Sequence, residues 1–264
     1  VHGRDDCLVE RCGLVDYLDG WQRQRELIEA CRADGRARLL LLEHPPTYTL
    51  GVRGRDEHLL LATDALSKLG ASVHRVDRGG DITFHGPGQL VGYPILDLRR
   101  WGEGPRWYVR ALETMLVEAL AAFGIEAGRR EGAIGVWAGD AKIASIGVRV
   151  SRGITSHGFA LNVDPDLRYF DYIVPCGLPD VRMTSVARVV RDRTMNGAAY
   201  PSMAEVQDAV VVAFGRVFGL ETIEASDGDV GAGGCPPRAT ARSPHAPEAH
   251  PPRAGGGQIA APTR

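Results

Sequence analysis

Arg78-Gly79-Gly80-Asp81-Ile82-Thr83-Phe84-His85-Gly86-Pro87-Gly88-Gln89-Leu90-Val91-Gly92-Tyr93 is the stretch on which the reading of this 264-residue chain turns. Five of its sixteen residues are glycine, and Arg, Asp, Thr, His, Gln and Tyr stand between them. Glycine reaches φ > 0 and lets a second backbone or a ligand come close. Polar groups interleaved with glycine predict a loop–strand–loop folded tightly around something, with a short strand over 81–84. Two tight turns that bind nothing would use the same glycines. Two nucleotide signatures are excluded. No Gly-Lys-Ser/Thr follows, as a Walker A loop requires, and no G-x-G-x-x-G opens a helix.

Upstream, residues 72–76 alternate as a strand that delivers the chain into Arg78. Residues 55–69 read as a helix stopped by Gly70, and 47–50 as a strand. Residues 39–42 form a short apolar run, a buried strand broken by His44-Pro45-Pro46, so His44 reads as a loop histidine. Over 15–33, Leu18, Trp21, Leu27, Ile28 and Cys31 recur at helical spacing, with Gly35 as a stop. Residues 1–14 give little.

Downstream, 90–98 read as a strand in which Pro94 marks an edge or an irregularity. The clearest helix is 105–123, with Pro105 at its start and Val109, Leu112, Leu116, Leu120 and Phe123 on one face. It reads as scaffold. Residues 135–163 predict a three-stranded meander that turns at Gly139-Asp140 and again at 151–153. Strict alternation puts Lys142, Ala144, Ile146, Val148 and Val150 on one face and Ser145 on the other. Residues 202–218 predict a last helix, with Ser202 and Glu205 in capping-box spacing. Strands and helices mixed without strict alternation predict an α/β (α+β) sandwich, a mixed β-sheet with flanking helices. Residues 1–224 are the expected folded domain. Residues 225–264, rich in Gly, Pro and Ala and poor in large apolar side chains, are an expected disordered tail.

Apolar residues make up 44% of the chain, charged residues 24%, and the net charge is -2, which argues against bulk binding to nucleic acid or an anionic membrane. No charged stretch followed by an apolar one opens the sequence, so no signal peptide is expected. The five cysteines, at 7, 12, 31, 176 and 235, are odd in number and widely spaced, which predicts reduced thiols. No pair has zinc-ligand spacing, so no metal is expected.

Two residues carry the chemistry. Cys176 stands in Val174-Pro175-Cys176-Gly177-Leu178-Pro179, a rigid loop that offers one thiol, and Gly177 leaves room beside it. A thiolate attacks thioesters well, yet a free thiol titrates near ~8.5, so a neighbour must lower it. The candidates are Lys142, His85 and His157. Of 31 basic residues only Lys68 and Lys142 are lysine, in a chain that otherwise writes positive charge as arginine. Lysine, unlike arginine, can give up its proton.

The pattern R-G-G-x-x-T-x-H-x-x-G-Q-x-x-x-Y over 78–93 closely resembles the signature of lipoyl(octanoyl) transferases, and the resemblance runs from about Leu39 to Phe218. It implies the biotin/lipoyl protein ligase fold, related to class II aminoacyl-tRNA synthetase catalytic domains, for residues 1–224. It implies transfer of an octanoyl group from octanoyl-acyl carrier protein to lipoyl domains, those of 2-oxoacid dehydrogenase complexes and the glycine cleavage H protein, in the cytoplasm and with no cofactor. Its Cys–Lys dyad falls on Cys176 and Lys142. Its substrate-binding positions fall on Arg78, Gly79, Gly80, Asp81, Ile82, Thr83, Phe84 and His85, on Ser145, Ile146 and Gly147, and on Gly158, Phe159 and Ala160. The competing readings are an ATP-dependent lipoate or biotin ligase, a cysteine thioesterase, and a non-catalytic acyl-binding module.

Overall fold

The structure is a computed structural model that describes residues 5–174, 181–193, 199–226, 234–237 and 239. The chain opens with β1 (Asp6–Leu14), α1 (Tyr17–Asp34), β2 (Ala37–Glu43) and β3 (Thr47–Leu50). A 3-10 turn (Asp56–His58), α2 (Thr63–Lys68), β4 (Ser72–Arg75), β5 (Ile82–His85) and β6 (Gln89–Ile95) follow. After a 3-10 turn (Leu98–Trp101) and α3 (Pro105–Ala121) come β7 (Gly128–Arg130), β8 (Ala133–Ala138), β9 (Ala141–Ser151) and β10 (Ile154–Asn162). A 3-10 turn (Leu167–Tyr172), β11 (Arg182–Met183), α4 (Val186–Arg193), α5 (Met203–Phe218) and β12 (Glu221–Glu224) complete the described elements.

The strands make a mixed main sheet in the order β12-β1-β2-β6-β10-β9-β8-β7, with β11 extending the pairing along β9. A small second sheet runs β4-β3-β5. Helices α3 and α5 cover one face of the main sheet, where Leu39, Leu41, Leu112, Leu116 and Phe214 share a core. On the other face Leu27 and Cys31 of α1 pack on Leu40, Leu42, Val91 and Tyr93. The small sheet has its own core of Tyr48, Phe84, Tyr169 and Phe170. The α/β sandwich expected from the sequence is the observed architecture.

Three expectations are corrected. Residues 55–69 are not one helix. The Leu60 N–H donates to the Tyr172 carbonyl and the Val174 N–H to the His58 carbonyl, so the segment is drawn out against 172–174 and only Thr63–Lys68 coils. Residues 1–14 hold a strand, β1, parallel to both β2 and β12. Its pattern is obscured by Glu10, buried because Arg23 of α1 pairs with it at 2.9 and 3.0 Å. The thiols are not all reduced: Cys12 and Cys235 form a disulfide. This part of the expected tail is tied to the sheet, also through the Ala239 N–H to the Leu14 carbonyl.

Among the described residues, Glu10, Cys12 and Cys235 are the grouping of potential metal ligands. The two sulfurs are bonded to each other and the Glu10 carboxylate is taken by Arg23, so no donor set is left for an ion.

Candidate active site

The Gly-rich stretch folds as its composition predicts, and the small sheet carries it onto the main one. Arg78 is buried. Its guanidinium donates to the Thr49 carbonyl at 2.6 Å, the Thr49 hydroxyl at 2.9 and 3.2 Å, and the Gly79 carbonyl at 3.0 Å. The Gly79 N–H then donates to the Val148 carbonyl of β9 at 2.8 Å, locking the loop to the main sheet. The approach is close. A Cβ on Gly147 would sit 3.0 Å from the Gly79 oxygen and 3.1 Å from Arg78 Cδ.

Strand β9 does not alternate strictly. Its register with β8 runs Val136↔Ala144 and then Trp137↔Lys142, so β9 has one residue more than its partner there. That extra residue makes a β-bulge, which shifts the phase of every side chain beyond it. Ile143 and Ala144 both belong to the core under α3 and α5, although they are neighbours in sequence. Lys142 and Ser145, on either side of them, are therefore returned to the other face, toward α1 and the Gly-rich loop. This corrects the expectation that Ser145 faces away from Lys142.

Between the two sheets lies a narrow cavity. Arg78, Gly80, Asp81, Ile82, Thr83 and His85 line it from the loop side. Ser145, Ile146, Gly147, Gly158, Phe159 and Ala160 line it from β9 and β10. Gly79 and Phe84 do not. Gly79 is spent on its bond to Val148, and the Phe84 ring stacks on Tyr169 at 4.7 Å in the small-sheet core. Tyr17, Val91, Tyr93 and His157 line the cavity too, from α1, β6 and β10. Val91 and Tyr93 belong to the Gly-rich stretch itself and His157 is one of the candidate neighbours of the thiol, whereas Tyr17 of α1 carries no local signal in the sequence.

The histidines around this cavity are buried and held neutral. His44 lies in the loop between β2 and β3, as its sequence context predicts, and is fully buried there. Nδ1 is 2.7 Å from the Val15 carbonyl and Nε2 is 2.8 Å from the Tyr93 hydroxyl, and burial pushes it down to about 4. His85 bonds Gln89 at 2.9 Å, which continues to Asn162, and burial, with the nearby His44 and Arg78, holds it well below the usual histidine range. His157 has φ 55 and lies where the β6–β10 ladder is interrupted beside Pro94, which has no N–H to give. The ladder stops at Phe159↔Gly92 and resumes where the Thr155 N–H reaches the Leu96 carbonyl. His157 Nε2 is 2.8 Å from Asp77, while burial and the guanidinia of Arg78 and Arg149 push it down to about 3. Asp77 is shared with Arg149 and partly exposed, so burial outweighs its attraction.

Lys142 is 2% exposed, and its Nζ lies 5.7 Å from the centre of the Trp137 ring. Cys176 lies outside the described residues. The unbridged thiols among the described residues, Cys7 and Cys31, are buried in the cores, and burial pushes both up, Cys31 to about 11. Neither is suited to nucleophilic work.

A model of the lipoyl protein ligase A/B catalytic domain matches residues 16–215, most of the chain and all of this site. The chain belongs to that family. Within it, an octanoyltransferase of Gloeobacter violaceus is 47% identical over 81% of this chain and 91% of its own length. The mitochondrial octanoyltransferase LIP2 of Arabidopsis thaliana is 43% identical over 81% of this chain and 90% of its own. Family members also share the fold at low identity. The structure of a putative lipoate protein ligase from T. acidophilum with bound lipoic acid superposes with a TM-score of 0.64 at 17% identity, over 85% of this chain and 89% of that one. The relatives make this chain an acyltransferase. Among the described residues no helix is long and apolar enough to cross a membrane.

Proposed function

We propose that the chain moves an octanoyl group from octanoyl-acyl carrier protein to a lysine of a lipoyl domain, through an acyl-thioester on Cys176. The observation that carries this reading is a narrow cavity with a buried lysine on the face of β9 that forms one of its walls. An acyl chain needs an apolar slot with polar groups only at the carbonyl end, and Ile82, Ile146, Phe159 and Ala160 supply apolar wall here.

Lys142 is the cation for a Cys176 thiolate. The alternative cations, His85 and His157, are held neutral by burial and offer no charge. The thiolate attacks the donor carbonyl carbon, the bond to the phosphopantetheine sulfur breaks, and that sulfur takes a proton from the Lys142 ammonium. The acceptor lysine, as a free amine, then attacks the acyl-Cys176 carbonyl and passes a proton to Lys142. Amide forms, and Cys176 leaves as thiolate beside a recharged ammonium. Thioester to thioester is close to thermoneutral and thioester to amide runs downhill, so the cycle needs no ATP, metal or redox cofactor. Lipoyl domains of 2-oxoacid dehydrogenase complexes and the glycine cleavage H protein are the acceptors in this reading, and the cytoplasm its compartment.

Incubation with octanoyl-acyl carrier protein, without ATP, followed by mass spectrometry tests it. One octanoyl group is expected on the peptide that holds Cys176, passing to a lipoyl domain when one is added. A dependence on ATP would point to a ligase, and release as free octanoate in the presence of a lipoyl domain to a thioesterase. Either result, or no adduct, overturns the proposal.

A further inference from the structure

Glu113 is a buried carboxylate in the middle of α3 that the chemistry above leaves unused. It is 3% exposed. Its Oε1 accepts the Gly135 N–H at 3.1 Å, and its Oε2 faces Arg129 at 3.0 Å and Arg110 at 3.5 Å. The β7–β8 register shifts between Gly128 and Arg130, opposite Gly135, and the N–H that this irregular ladder leaves over is taken up by the helix. Burying a carboxylate is costly unless it is paired; the arginines at Oε2 answer for the charge, while the bond from Oε1 to one glycine calls for a reason of its own.

Lys142 supplies the reason. Gly135 has φ 125, where side chains are strained. A Cβ built there would fall 2.5 Å from Lys142 Cε, 3.2 Å from Lys142 Nζ and 2.6 Å from the Ala144 carbonyl oxygen. The Lys142 side chain therefore occupies the space that Gly135 leaves empty, with Nζ beside the Trp137 ring. A glycine does not hold such a conformation by itself, because it has the most backbone freedom to lose. The carboxylate on its N–H supplies the restraint.

We propose that Glu113 is a positioning residue for Lys142: by anchoring the Gly135 N–H it fixes the backbone whose vacant side-chain space seats the Lys142 amine beside Trp137. The consequence for transfer rests on the reading that Lys142 serves Cys176. The seating itself does not.

Two variants separate the acceptor from the charge. Glu113→Gln keeps an oxygen for the Gly135 N–H and loses the charge. Glu113→Leu keeps the bulk and loses the acceptor. The chain has two lysines, Lys68 and Lys142, so protein labelled with 13C at lysine Cε gives two signals, one of them displaced by the Trp137 ring. Glu113→Leu is expected to move the Lys142 signal toward that of exposed Lys68, to raise the pH midpoint of Cys176 alkylation by about one unit, and to slow transfer about tenfold in kcat with little change in KM. Glu113→Gln is expected to restore all three. Should Glu113→Leu fail to fold, Glu113→Asn, a methylene too short to reach Gly135, takes its place. A folded acceptor-less variant with the wild-type Lys142 signal overturns the inference. If Lys142→Ala leaves the alkylation midpoint where it was, the Cys–Lys reading fails instead, and the lysine signal still decides the role of Glu113.

Discussion

Lys142 and Ser145 stand on the same face of β9, three residues apart, because Ile143 is an extra residue in that strand's pairing with β8. The amine and the cavity wall thus belong to one surface. In an unbroken strand they would point to opposite sides of the sheet.

The first prediction concerns that wall. Ser145 sits opposite Ala160 in the β9–β10 ladder, and both line the cavity. Ser145→Leu would fill a slot this narrow. Octanoyl transfer is expected to fall about 100-fold, with a butyryl donor losing far less, because overpacking acts where the chain is longest. Equal losses for the two donors would remove Ser145 from the acyl site.

Arg78 is an internal clamp rather than a surface charge. Arg78→Met removes the guanidinium's hydrogen bonds to Thr49 and Gly79 and leaves a buried carbonyl short of a partner. A loss of about 2–4 kcal/mol in unfolding free energy is expected, since hydrogen bonds from charged groups are the stronger kind. Urea denaturation measures it. A loss under about 0.5 kcal/mol, the range of a surface substitution, would contradict the clamp.

Acid stability follows from the buried histidines. In the folded protein His44 is lowered to about 4, and His85 is lowered too, whereas in the unfolded chain each titrates near its ordinary value of about 6.5. Between those limits the unfolded chain binds protons that the folded one refuses. Stability is therefore full above about pH 6.5 and falls as pH drops, by up to about 1.4 kcal/mol per pH unit for each histidine. His44→Gln, which cannot titrate, should flatten the curve between about pH 6.5 and 4. Urea midpoints that fall as steeply in the variant as in the parent would rule His44 out as a contributor.

The disulfide gives the fourth prediction. Cys12 and Cys235 close a loop across a sequence separation of 223 residues, and neither lines the cavity. Cys235→Ser should lower stability by about 2–4 kcal/mol under oxidising conditions. With reductant present it should make little difference, and transfer rates should match the parent in both. A variant as stable as the parent in air would show that this bridge does not hold the C-terminal segment.

The local features of this protein were fixed by its sequence. Helix α3 could be read from Pro105 and its apolar stripe, α5 from Ser202 and Glu205, and the meander of β8, β9 and β10 from its turns, because each signal lies within a few residues of its effect. The Gly-rich stretch declared its tight fold in the same way, and most of the residues assigned to the site from sequence do meet around one cavity.

What only the tertiary structure decided depends on partners far away in the chain. β1 became legible as a strand once Arg23 was seen to neutralise Glu10, and 59–61 as extended once 172–174 lay beside them. Tyr17, Tyr93 and His157 reach the cavity from three separate elements. Above all, the bulge at Ile143 is a property of two strands in register. A strict period of two, applied to β9 alone, assigns Lys142 the wrong face, because one unpaired residue reverses every side chain beyond it and nothing within the strand announces where that residue falls.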